Sequence, residues 1–167
     1  MSRVAIFIGS DSDQEVIKEA EGILDELGVA YTLEVTSAHR SPERTLRLIR
    51  RAEEQGAAVF IAAAGKAAHL AGVVAAHTVR PVIGVPVESA SLGGLDALLS
   101  TVQMPKGVPV ATMALGKTGA ANAAFLAAQI LALSDPTLRD KLEKHKKKME
   151  DKVEEASRKL RRNQGGG

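Results

Sequence analysis

Three short stretches carry side chains able to do chemistry. GSDSD sets Gly9, Ser10, Asp11, Ser12 and Asp13 in a row. Backbone N–H groups and the two serine hydroxyls suit a phosphate, and Asp13 can accept from ribose hydroxyls. The same residue types also cap helices, so this stretch alone supports both readings. TSAHR, at 36–40, joins Ser37 to His39 and Arg40. Histidine gives and takes a proton near neutrality, and arginine offers a rigid fork to a phosphate or carboxylate. A polar loop with a capping serine is the plainer alternative. IAAAGKAAHLAG, at 61–72, is a run of small residues interrupted by Lys66, with His69 at the start of an apolar helix. Small residues let a backbone come close to a ligand, whereas a lysine there either reaches for an anion or obstructs the approach. His69 fits an active-site role or a satisfied structural histidine, while His77 and His145 read as structural.

Other chemistries find little support. The 167 residues contain no cysteine, so neither disulfides nor thiolate catalysis are available. The four histidines are dispersed without metal-ligand spacing, and no metal site is expected. The dinucleotide fingerprint GxGxxG is missing. LGKT at 115–118 resembles the end of a phosphate-binding P-loop, but Ala111 stands where that motif needs glycine.

The net charge of +2 conceals an asymmetry, because eleven basic and seven acidic residues lie from Ser134 onward. The basic character thus belongs to the tail, which lacks the interleaved aromatics of a nucleic-acid surface. No apolar run is long enough for a signal peptide or a membrane span. No nucleic acid or membrane partner is expected, and a cytoplasmic location is.

The elements that must hold these stretches follow from periodicity. Segments 4–10, 30–37, 57–64, 80–87 and 108–115 are short, apolar and mostly β-branched, as in parallel strands covered on both faces. Helical spacing fills 13–27, stopped by Gly28, and 42–55, opened by Pro42. Segments 67–78 and 119–133 are Ala-rich and apolar nearly all round, predicting buried helices. Alternation of this kind predicts an open α/β sheet with right-handed crossovers, whose ligands bind at the carboxyl ends of the strands. With aromatics at 2% and no tryptophan, its core must be aliphatic. Residues 1–133 read as one α/β domain. Residues 134–164 read as a charged amphipathic helix packed on the body or on a neighbouring subunit, and 165–167 as a flexible terminus.

Taken in order, GSDSD, SAHR at 37–40, AAHL at 67–70, PVIGVPV at 81–87, LLSTVQMP at 98–105, and GVPVAT with GAANAAFLAAQIL within 107–131 resemble N5-carboxyaminoimidazole ribonucleotide mutases of purine synthesis. The resemblance spans residues 4–133. It implies a three-layer α/β/α sandwich on a doubly wound, flavodoxin-like parallel sheet, assembled as an octamer whose sites draw on neighbouring subunits. It implies no cofactor and no metal. The implied reaction moves a carboxyl group from an exocyclic nitrogen to C4 of the imidazole, by release and recapture of CO2. Carried over position by position, His39 is the general acid/base, Ser10, Asp13 and Arg40 hold the ribose 5-phosphate, and Gly9, Ser12 and Ser37 are further substrate-binding residues. Ala64, Gly65, Lys66, His69 and Leu70 shape the region of CO2 and carboxylate.

The third stretch departs from the family pattern, which is close to AGAGGAAHLPG. Ala63 and Lys66 replace glycines and Ala71 replaces a proline. Two other readings therefore stay open: a carboxylase taking free CO2 and aminoimidazole ribonucleotide, or a paralogue on another ribonucleotide; and an octameric scaffold with little or no turnover.

Overall fold

A computed structural model of the chain describes residues 3–89 and 92–164; the terminal glycines expected to be flexible lie outside the described residues. Five parallel strands, β1 (Val4–Ile8), β2 (Tyr31–Val35), β3 (Val59–Gly65), β4 (Val82–Val87) and β5 (Ala111–Thr112), form one sheet in the order β2-β1-β3-β4-β5. This is the doubly wound order of flavodoxin-like sheets. The helices are α1 (Gln14–Leu27), α2 (Pro42–Glu54), α3 (Leu70–Ala76), α4 (Leu95–Val102), α5 (Gly116–Ala132) and α6 (Pro136–Gln164).

Side-chain alternation in the central strands builds two cores at once. Val4, Ile6 and Ile8 of β1, with Val59, Ile61 and Ala63 of β3, pack with α1 and α5. Ala5 and Phe7, with Phe60 and Ala62, pack on the opposite face with α2 and α3. Fully burying each Val, Leu, Ile or Phe contributes about 1.5–3 kcal/mol, so these strands are the stable heart of the fold. The only large aromatic contact between them is Phe7 on Phe60, with ring centroids 5.7 Å apart. On the first face the layer is closed by alanines of α5, among them Ala120, Ala123, Ala124 and Ala127, all fully buried. Their small size lets α5 lie close to both α1 and the sheet.

Local signals end the elements where the sequence places them. Gly28 takes the left-handed conformation after α1, and Pro42 opens α2. Two expectations need correction. The strand predicted over 108–115 pairs with β4 only at Ala111 and Thr112, on the edge of the sheet. The helix predicted over 67–78 occupies only Leu70–Ala76, since Lys66–His69 form a turn. Helix α4 has no counterpart among the predicted elements. Its seat on β4 depends on Gly84, where a Cβ would stand 2.4 Å from Thr101 Cγ2 and 3.3 Å from Ala71 Cβ. Those two contacts also place α4 on the same face as α3.

The tail is one 29-residue helix. Its first turns join the body: Leu138 and Leu142 are buried, Lys141 Nζ donates to Leu27 O at 2.6 Å, and His145 stacks on Phe125. An ion pair of 2.6 Å from Arg3 to Asp135 fastens its start. Further along, Met149, Val153 and Leu160 continue the same stripe but are exposed.

Thr101 has little freedom to yield, since its hydroxyl donates to Ala97 O at 2.7 Å. Gly84→Ala is therefore expected to lower unfolding free energy by about 1–3 kcal/mol through overpacking, measured by urea denaturation.

Candidate active site

Parallel strands deliver their carboxyl ends to one edge of the sheet, and there the loops after β1, β2, β3 and β4 enclose a cleft of about 700 Å³. All twelve residues singled out from the sequence line it: Gly9, Ser10, Ser12 and Asp13 from the first loop, Ser37, His39 and Arg40 from the second, and Ala64, Gly65, Lys66, His69 and Leu70 from the third. Ala38 and Ala67 of the same loops line it too, and Val87, Glu88 and Ser89, at the end of β4, complete the lining. Sequence reasoning missed these three, although the rule that ligands bind at strand carboxyl ends points to them.

The first loop is tightly folded on itself. Ser10 N donates to Asp13 Oδ2 at 3.1 Å, while Ser10 Oγ donates to Asp11 Oδ1 and accepts from Ser12 Oγ, both at 3.0 Å. A short 3-10 turn, Asp11–Asp13, leads into α1, and the Ser10 and Asp13 side chains that face the cleft also cap this turn. Asp13 is buried, and that burial holds its carboxyl above the ordinary carboxylate range, partly offset by the Ser10 N–H. Asp11 is exposed and shifts the other way, held down first by the Ser10 hydroxyl.

In the second loop the Ser37 hydroxyl accepts from Arg40 N at 3.1 Å and the guanidinium reaches Gly9 O at 3.3 Å. Arg40 thus lies across the end of β1, beside the serine turn. His39 points the other way and meets His69. Their Nε2 and Nδ1 atoms are 2.7 Å apart, and the rings stand edge to face at 79°. At that distance one nitrogen donates its N–H and the other accepts, so a single N–H lies between the two rings. His69 is an exposed ring whose polar partner is His39, whereas His77 contacts Val73 O within its own helix.

The third loop is built by close approach. Gly9 N donates to Ala63 O at 2.9 Å, and a Cβ on Gly65 would lie 3.2 Å from Val87 O. Ala63 is fully buried and Ala71 nearly so, and both are accommodated within the cores. Lys66 differs. It is the one non-glycine residue with positive φ, at 56°, among the described residues. A side chain there crowds the following carbonyl. Among the described residues no group of three or more His, Cys, Asp or Glu is placed to hold a metal, and no helix is long and apolar enough to cross a membrane.

The sheet is of the flavodoxin type and carries on one edge a serine turn, an arginine fork and a histidine pair, residue types suited to holding a phosphate ester and to moving a proton. The comparisons make this specific. The family profile of AIR carboxylase matches residues 3–152, and the chain belongs to that family. It is 53% identical over 157 residues to the N5-carboxyaminoimidazole ribonucleotide mutase of Pyrococcus horikoshii, covering 94% of this chain and 88% of that protein. To the mutase of Bacillus subtilis it is 52% identical, covering 94% of this chain and 97% of the relative. The crystal structure of Treponema denticola PurE superposes with a TM-score of 0.86 at 28% identity, over 94% of this chain and 97% of that one.

Two substitutions read out the site's stability. Lys66→Gly relieves the left-handed backbone and should raise unfolding free energy by about 1 kcal/mol in urea titrations. For Asp13 the folded carboxyl binds its proton more tightly than the unfolded one, so ionisation opposes folding. That penalty is absent below the ordinary carboxylate pKa and grows as pH rises through the raised one. Asp13→Asn should therefore increase melting temperature at pH 7 more than at pH 3.

Proposed function

We propose that the chain is an N5-carboxyaminoimidazole ribonucleotide mutase. The observation that carries this reading is the His39–His69 pair, set in one cleft between a serine–arginine loop and a wall of small residues. The ribose 5-phosphate lies against Ser10, Ser12 and the Arg40 guanidinium, with Asp13 accepting from the ribose, and the imidazole extends towards His39 and the 64–70 turn. As the bond from carboxyl carbon to the exocyclic nitrogen breaks, CO2 leaves and His39 delivers a proton to C4. CO2 then bonds to C4, and the same histidine recovers the proton. The enzyme ends as it began, which suits one acid/base group and requires no net proton exchange. His69, hydrogen-bonded to His39, fixes which nitrogen of His39 carries the proton. Ala64, Gly65 and Leu70 leave room for CO2 beside the ring and keep water from it.

Freed CO2 needs enclosure, yet His39 and His69 are exposed in the single chain. Helix α4, which follows the β4 end of the cleft, carries an exposed apolar row of Leu95, Leu99 and Val102. A homo-oligomer, an octamer by the family resemblance, would cover such a row and wall the site with a second copy. Residues 134–164 fit the same assembly as a helical appendage to the catalytic domain, and the cytoplasm as its place of work.

A second reading, a carboxylase using aminoimidazole ribonucleotide and free CO2, is favoured by Lys66, a cation beside the carboxyl region. The deciding experiment is turnover of the N-carboxylated substrate without ATP, with and without added bicarbonate. Bicarbonate-independent turnover is expected; turnover only of the uncarboxylated ribonucleotide with bicarbonate would give the site to the carboxylase, and no turnover of either would make the chain a scaffold. His39→Asn should lose about 10²–10⁴-fold in kcat while still binding ribonucleotide, measured by steady-state kinetics and calorimetry. Normal turnover in that variant would exclude His39 as the proton carrier.

A further inference from the structure

The β3 and β4 ends of the cleft carry two opposite charges that the mechanism above leaves unused. In the sheet Gly65 pairs with Val87, the last residues of the two strands. Lys66 and Glu88 therefore leave neighbouring parallel strands at the same level, from strand ends whose backbones lie about 4.8 Å apart. Both are exposed and both line the cleft. Among the described residues neither takes part in an ion pair. Every other charged side chain of the lining, Asp13 and Arg40, belongs to the β1 and β2 loops and makes hydrogen bonds there.

Strand order then fixes where charge lies along the cleft. Arg40 lies over the β1 end, the histidine pair spans from the β2 loop to the β3 loop, and Lys66 with Glu88 stands at the β3–β4 side. A ligand with its phosphate at Arg40 and its ring at His39 extends its far end towards Lys66. We infer that Lys66 is a second anion anchor, which pairs with the carboxylate of the bound ribonucleotide, and that Glu88 competes for the same ammonium. The inference rests on the mutase reading and adds a specificity residue to it.

The chemistry gives this anchor a recognisable kinetic mark. An ammonium–carboxylate contact favours the carboxylated ground state, and it is lost when the carboxylate becomes neutral CO2. Binding energy of that sort lowers KM without raising kcat. For a solvent-exposed pair, an effect of about fivefold is the right scale.

The test is calorimetric titration of wild type with aminoimidazole ribonucleotide and with its 4-carboxy derivative, beside Lys66→Met, Lys66→Arg and Glu88→Gln. Wild type should prefer the carboxylated ligand, Lys66→Met should lose about fivefold of that preference, Lys66→Arg should keep it and Glu88→Gln should enhance it. In turnover, Lys66→Met should raise KM about fivefold with kcat unchanged or increased. Equal losses for both ligands, or a fall in kcat alone, would overturn the anchor while leaving the mutase reading in place. Failure of wild type to bind either ribonucleotide would remove the mutase reading and the anchor together.

Discussion

Val4, Ile6 and Ile8 face one core while Ala5 and Phe7 face the other, and a slip of one residue would exchange the two sets. One set packs with α1 and α5 and the other with α2 and α3, so the exchange would misfit both cores. The register of β1 against β3 is thereby held from both faces. The cleft depends on that register. Gly9 follows β1 and hydrogen-bonds to Ala63, so the serine turn and the small-residue turn are kept in contact through one backbone bond. From there Arg40 reaches back over Gly9, and His39 reaches across to His69.

Against this rigid base, the cleft collects features unfavourable to folding. A carboxylate is buried at Asp13, and a lysine is held in the left-handed region. Each is tolerated because the strands beneath have stability to spare. Such local conflicts concentrate where a protein binds and reacts.

Much of this arrangement was legible in the residues. The three central strands, β1, β3 and β4, announce themselves by burial on both faces, and Gly28 and Pro42 mark boundaries by backbone geometry alone. The site residues were legible because parallel strands send all their carboxyl ends to one edge, which turns three dispersed sequence stretches into one locus. What escaped did so for identifiable reasons. Helix α4 keeps an exposed apolar face, so LDALLSTV lacks the polar stripe by which an amphipathic helix is recognised. The segment around β5 reads like a full strand, yet only Ala111 and Thr112 pair with β4. Glu88 and Ser89 carry no motif of their own, and only the register with Gly65 brings Glu88 level with Lys66. The His39–His69 contact joins residues 30 positions apart and depends on side-chain direction that spacing does not encode.

Helix α6 changes surroundings along its length while its pattern of residues does not. Near Leu138 and Leu142 its amides are backed by the body, whereas around Val153 and Leu160 they rest on intrahelical bonds and pairs such as Lys159–Glu155. Pairs of that kind contribute about 0.2–0.5 kcal/mol each. Opening of the distal turns is therefore nearly free in an isolated chain and becomes costly when another surface covers them. Hydrogen–deuterium exchange along this single helix thus grades from a measure of the fold at its start to a gauge of association at its end.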